Sequence, residues 1–163
     1  MIKPAIVAGL LIVLSACGTA DSDDTLPTVS LIPFDSTDVA IVTAADTVRI
    51  KAEVADSDEE RGYGLMDRAR LDENSGMLFV YDAPQDSTYG FYMFRTRIPL
   101  DIAFADSAGV ILTILAMEPC EHIQPSNCRS YNPGVGYTSA LEVNRGFFAQ
   151  HGITPGARIL WPH

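Results

Sequence analysis

Residues 48–60 read Val48-Arg49-Ile50-Lys51-Ala52-Glu53-Val54-Ala55-Asp56-Ser57-Asp58-Glu59-Glu60, and this stretch decides the fold class. Val48, Ile50, Ala52 and Val54 alternate with Arg49, Lys51 and Glu53. An apolar residue at every second position is the period of a strand with one face buried. The alternation stops at Ser57-Asp58-Glu59-Glu60, a capping box in which Ser57 caps a helix and Glu60 reaches back to it. A short helix is therefore predicted towards Met66, ending near Arg68.

The same pattern continues towards the C-terminus. Gly76-Met77-Leu78-Phe79-Val80-Tyr81 reads as a buried strand, followed by a turn around 82–87 and a further strand over Tyr89–Arg95. Leu100–Ala105 and Val110–Met117 are apolar runs joined by Asp106-Ser107-Ala108-Gly109, which suits a hairpin loop. Residues 119–137 carry three prolines and two glycines and read as loop. Ser139–Val143 is predicted as a strand, and Asn144–Gln150 as a short helix capped by Asn144 and closed at Gly152. After the turn Thr154-Pro155-Gly156, Ala157–Trp161 closes the domain as a strand. About seven strands and two short helices predict a mainly β (α+β) single domain, sandwich-like or barrel-like.

Towards the N-terminus the character changes. Met1-Ile2-Lys3 is a short positive start, and the apolar run Ala5–Leu14 is too short to span a bilayer of about 30 Å. Leu14-Ser15-Ala16-Cys17 resembles a lipobox, in which small residues precede a cysteine that is acylated and becomes the new N-terminus. Residues 1–16 are thus expected to be a lipoprotein signal peptide, with Cys17 the lipidated residue. Gly18 stands where inner-membrane lipoproteins often carry Asp, which directs the expectation to the outer membrane, facing the periplasm. Multiple acyl chains would make a lasting membrane anchor, since each buried methylene contributes about 0.8 kcal/mol. Residues 17–40 read as a tether: Thr19–Thr25 is polar and acidic, Pro27 and Pro33 punctuate the stretch, and Leu31, Ile32 and Phe34 are apolar residues that can pack locally against the domain. The globular domain is expected over residues 41–163.

The 163-residue chain has a formal charge of −10; loss of Lys3 with the signal leaves 10 basic residues against 21 acidic ones. A field of that sign repels phosphate backbones, so no nucleic-acid partner is expected. It also disfavours electrostatic docking on anionic lipid.

Several blocks together resemble a known family. Glu60-Arg61-Gly62-Tyr63-Gly64-Leu65-Met66-Asp67-Arg68, then Gly76-Met77-Leu78-Phe79, then Phe91-Tyr92-Met93-Phe94-Arg95-Thr96-Arg97-Ile98-Pro99-Leu100-Asp101-Ile102, resemble successive signature segments of the domain of unknown function number 192 family. Cys120, Tyr131, Ala140-Leu141-Glu142, Gly146 and Gly156 continue the pattern in order, so the resemblance spans roughly residues 47–161. It implies a mainly β fold and frequent export in bacteria and archaea, but no reaction. At Thr96 the family pattern leads one to expect Asn, which removes a side-chain amide from that position.

Three groups could carry chemistry. With Cys17 acylated, Cys120 and Cys128 remain as an even pair in an oxidising compartment, which favours a disulfide. Closing so short a loop is worth about 2.5 kcal/mol in chain entropy. The alternative is a metal site from Cys120, His122 and Cys128 with a fourth ligand from His151, His163 or a carboxylate; that spacing matches no strong zinc pattern, and no metal or other cofactor is expected. Arg61, Arg68, Asp101 and Glu142 sit beside core-like residues. They form either structural Arg–carboxylate pairs or a pocket in which an arginine binds a small anion. Finally Tyr89, Phe91, Tyr92, Met93 and Phe94, with Met66 and Met77, are either core or the lining of a groove. The candidate ligand-binding residues are Arg61, Arg68, Phe91, Met93, Asp101 and Glu142.

No phosphate-binding glycine loop, serine-hydrolase elbow or helical zinc pair is present in the sequence. The leading expectation is a non-enzymatic envelope module that binds a small ligand, an envelope polymer or a protein partner. A hydrolase using Asp101 or Glu142 as acid or base is the alternative, with both carboxylates reachable in one cleft as its requirement. A purely structural lipoprotein, without any concave site, is the third.

Overall fold

The computed structural model describes residues 32–120, 122 and 124–162 of the chain. The expected signal peptide, Cys17, the first part of the tether and His163 lie outside the described residues. Among those described, the chain forms strands β1 (Ser36–Val42), β2 (Thr47–Ala55), β3 (Ser75–Gln85), β4 (Phe91–Tyr92), β5 (Leu100–Ala105), β6 (Ile111–Met117), β7 (Ser130–Tyr131), β8 (Tyr137–Asn144) and β9 (Arg158–Leu160). Two short helices, α1 (Asp58–Tyr63) and α2 (Phe147–Gln150), complete the regular structure with a 3-10 turn over Pro125–Asn127. The fold is mostly β, as the patterning predicts.

Seven strands make one sheet in the order β6-β5-β8-β3-β2-β1-β9, curled into a half-barrel. The curl brings its two edges together. Ile111 N–H donates to the Ala157 carbonyl and Ile159 N–H to the Gly109 carbonyl, both at 2.8 Å, around an antiparallel bridge between Val110 and Arg158. Every neighbouring pair in the sheet is antiparallel except β2 and β3, which are parallel and joined through α1. A parallel pair cannot be closed by a tight hairpin, so the capping box of Ser57 and Glu60 begins the crossover. Ser57 Oγ accepts from Glu60 N–H at 3.3 Å, and Glu60 Oε2 accepts from Ser57 N–H at 3.0 Å.

The sheet has two buried faces. Inside the curl, Val39, Ile41, Ile50, Leu78, Leu141, Val143 and Ile159 form one core, plugged by Phe147 and Phe148 of α2. On the opposite face of the central strands, Met77, Phe79, Leu100, Ile102, Phe104 and Tyr137 form a second core with Leu65, Met93 and Tyr131 from the loops. Burial on both faces explains why β5 is buried along its whole length and β8 along nearly all of it.

Four local expectations are corrected. The sheet begins at Ser36, inside the expected 17–40 tether, because Val39 and Ile41 alternate inward and pair with Ile50 and Val48. α1 ends at Tyr63, short of Met66, because Gly64 takes a positive φ of 52° and its N–H closes on the Glu60 carbonyl. The expected strand over 89–95 shrinks to two residues paired with β7, since Arg95 turns left-handed at φ 55°. Asn144 does not cap α2; its amide donates to the carbonyls of Leu71 and Asp72, both at 3.0 Å. Gly146, at φ 86°, stands at the helix start instead, and its N–H is taken by Asp101 Oδ2 at 2.8 Å.

Candidate functional site

The second core is not completely covered. α1 and the loop after it cross the outer face on one side, and β4 with its flanking turns crosses on the other. Between them lies a cleft of about 340 Å³. Phe79 and Tyr81 of β3, Phe91 and Tyr92 of β4, Tyr89, Leu65 and Thr96 line it, with Arg61 and Gly62 of α1 at one wall and Glu142 of β8 among the lining groups. Strand periodicity accounts for much of this wall: Phe79 and Tyr81 are two residues apart on β3, so they share a face.

The rings brace one another. Phe79 and Phe91 meet edge to face with centroids 4.9 Å apart, and Tyr81 meets Tyr137 in the same manner at 5.6 Å. Tyr137 hydroxyl donates to the Tyr89 carbonyl at 3.0 Å, which holds the turn ahead of β4 against the sheet. Burial pushes the Tyr81 phenol up to about 12, so it remains a neutral donor over the physiological range.

Glu142 is the unusual member. It stands in the middle of β8, opposite Met77 on β3 and Ile102 on β5, and only 4% of it is exposed. No hydrogen bond or ion pair joins its carboxyl to any described residue, and its oxygens are not among the fully enclosed unpartnered atoms, so the carboxyl opens on the cleft. Burial alone raises its pKa from the usual carboxylate range to about 8. An ionised carboxylate buried without a partner costs several kcal/mol, so the group holds its proton at neutral pH.

The arginines do not neutralise it. Arg61 lies over the Tyr81 ring at 4.9 Å from its centroid, donates to the Val80 carbonyl at 2.8 Å and to the Asp56 carbonyl, and pairs with Asp58 at 2.6 Å. Arg68 is held away from the cleft in a two-pronged pair with Glu53, with N···O distances of 2.9 and 2.5 Å. Asp101 faces the other side of the sheet, 3.2 Å from Arg145 Nε. Arg145 in turn donates to the Leu100 and Met117 carbonyls and pairs with Glu118 at 2.9 Å.

Of the six candidate ligand-binding residues, the fold brings Arg61, Phe91 and Glu142 to one cleft. Arg68 and Asp101 are structural ion-pair members, and Met93 lies in the second core beside the disulfide loop. The two carboxylates required by the hydrolase alternative are therefore not in one site. Phe79 and Tyr81 are cleft residues that the sequence pattern did not single out, although their spacing on a strand beside Met77 carried the signal. Glu53 and Arg145, the partners of Arg68 and Asp101, carried none, because neither pair is close in sequence.

Cys120 and Cys128 form a disulfide with Cα atoms 5.8 Å apart. It takes up both thiolates on which the metal alternative depends. Thr96 is 6% exposed and lines the cleft, so the departure from the family pattern falls within the site.

The family model for domain of unknown function 192, described as an uncharacterized ACR, matches residues 40–161. Among solved structures, a candidate transcription regulator from Sinorhizobium meliloti is similar at a TM-score of 0.70 and 27% identity, over 81% of this chain and 98% of that one. A protein of unknown function from Novosphingobium aromaticivorans is similar at a TM-score of 0.65 and 27% identity, over 76% of this chain and 84% of that one. No curated protein matches the chain.

Proposed function

Because this chain belongs to the domain of unknown function 192 family, described as uncharacterized, its role has to be read from the site, and we propose a cell-envelope binding module that takes a small ligand into the cleft beneath α1 and β4. The observation that carries this reading is Glu142, without a partner among the described residues, amid aromatic walls. A core acid with no hydrogen bond lowers stability, whereas a leucine or methionine there would not, so its presence is best explained by an occupant. The cleft volume falls at the lower end of the roughly 300–1,000 Å³ usual for small-molecule sites.

The location in the envelope rests on the sequence: Lys3, the apolar run Ala5–Leu14, and the lipobox-like Leu14-Ser15-Ala16-Cys17. A lipid on Cys17 would tether the domain to the outer membrane and present the cleft to the periplasm. The regulator description of the Sinorhizobium relative finds no support in the charge of this chain, since −10 disfavours a nucleic-acid partner.

Native mass spectrometry on the protein extracted mildly from cells tests the binding reading. A reproducible small adduct is expected on the unmodified chain and not on Gly62→Trp. Gly62 lines the cleft and has open space where a Cβ would stand, so a large ring there obstructs it. An adduct of unchanged occupancy in Gly62→Trp and Phe91→Ala would place any ligand elsewhere. Labelling with a radioactive fatty acid tests the anchor: label lost in Cys17→Ala supports it, and label absent from the unmodified chain overturns it.

A further inference from the structure

We infer that the cleft is built for an organic cation, a protonated or quaternary amine on an apolar body, with the cationic head against Glu142 and the body against the rings of Phe79, Tyr81 and Phe91. The inference rests on the binding reading above and names the chemical class of the ligand.

Charge and geometry both select this class. Two carboxylates line the cleft, Asp58 and Glu142. Asp58 is fully exposed and already paired with Arg61, which leaves Glu142 as the cleft acid without a counter-ion among the described residues. Arg61 of α1 and Arg68 of the loop after it are committed elsewhere, Arg61 to Asp58 and two backbone carbonyls, and Arg68 to Glu53. A small anion would therefore have to break an existing set of bonds, while a cation finds an acid that lacks only its partner. One face of Tyr81 is already covered by the Arg61 guanidinium, a cation that this wall accommodates beside the Phe79 and Phe91 rings. A chain of net charge −10 further raises the local concentration of cations.

Seating a cation draws the proton from Glu142. With the empty site protonated to about pH 8, affinity for a fixed cation should rise close to tenfold per pH unit from 6 to 7 and level off above 8. The other titratable groups around the cleft are Asp58, Arg61 and Tyr63 from α1, Tyr81 from β3, and Tyr89 and Tyr92 at β4. Ile102 of β5 stands opposite Glu142 in register, between the apolar Leu100 and Phe104 on the same face, and beyond Met77 the Glu53 carboxylate of β2 is held by Arg68.

The experiment is isothermal titration of the mature chain with benzyltrimethylammonium, which carries a charge at every pH, beside neutral benzyl alcohol and anionic phenylacetate. The expected result is ammonium binding at least tenfold tighter than either analogue, strengthening from pH 6 to 8. Glu142→Gln, which keeps shape and packing, should lose at least tenfold and its pH dependence. Gly62→Trp should abolish binding without touching Glu142. Tighter binding of phenylacetate or benzyl alcohol, sensitive to Gly62→Trp, would overturn the cation and leave the cleft as a binding site. Ammonium binding unaffected by Glu142→Gln would overturn the inference as well. If no probe binds, the cation assignment falls, and the mass-spectrometric adduct then decides separately whether the cleft is a site at all.

Discussion

Asp101 and Glu142 lie one register position apart across β5 and β8, since Glu142 pairs with Ile102 and Asp101 with Val143, yet they open on opposite faces of the sheet. Asp101 meets Arg145 and the N–H of Gly146 on the side enclosed by the curl, where it fixes the start of α2. Glu142 meets the aromatic cleft on the other side. Two acids that look equivalent in sequence thus stand in different settings, one holding a turn and the other at the cleft without a partner among the described residues.

The first expectation concerns pH. The folded chain raises the pKa of Glu142 above its unfolded value, so the stability linked to its proton is fully present below about pH 4.5 and lost as pH rises to about 8. Within that window the fall is on the order of 1 kcal/mol per pH unit at most. Denaturant titrations from pH 5 to 9 should show this slope in the unmodified chain and not in Glu142→Gln. Parallel curves for the two would mean that Glu142 finds a partner in solution.

The disulfide is a local staple. Its cysteines are eight residues apart, and the chain-entropy estimate for such a loop is about 2.5 kcal/mol. Cys128→Ser should lower stability by roughly that amount while leaving binding in the cleft within twofold, because residues 120 and 128 are not part of its wall. Loss of cleft binding would show that the loop holds β4 in place through its pairing with β7.

Closure of the curled sheet depends on Gly109. It has a φ of 74°, and a Cβ there would stand 2.2 Å from the Ile159 carbonyl oxygen, where the two edges of the sheet meet. Gly109→Ala should cost about 3 kcal/mol or more, from the left-handed backbone and the displaced edge together. Gly134 has nearly the same φ, 73°, with nothing within 4 Å of its Cβ position, so Gly134→Ala should cost about 1–2 kcal/mol. Thermal melts of the two variants compare the contact with the backbone term alone; equal losses would remove Ile159 from the account.

Arg68 is 9% exposed and its Nε has no hydrogen-bond partner among the described residues, so the ion pair with Glu53 is what compensates its burial. Glu53→Ala should therefore destabilise by about 2–4 kcal/mol, the range for leaving a buried charge alone reduced for the partial exposure of Glu53. Restoring neutrality with Arg68→Met in the Glu53→Ala background should recover part of the loss. A double variant as unstable as the single one would assign the cost to packing.

Much of the fold is legible in the amino-acid order, for a definite reason. Strand alternation at 48–54, the Ser57–Glu60 capping box, the hairpin loop at 106–109 and the two cysteines at 120 and 128 are set by interactions within a few residues, and neighbouring residue types report them directly. The sequence by itself therefore determined a mainly β domain with two short helices and a disulfide. The tertiary structure alone decided which of two adjacent registers faces the cleft, that Arg68 answers Glu53 and Asp101 answers Arg145, and that Glu142 answers nothing among the described residues. Those outcomes depend on strand order, since β8 lies between β3 and β5, sixty-five residues from Met77 and forty from Ile102. A one-residue shift in register would have exchanged the faces. No local pattern encodes that choice; it follows from which apolar faces can be buried together.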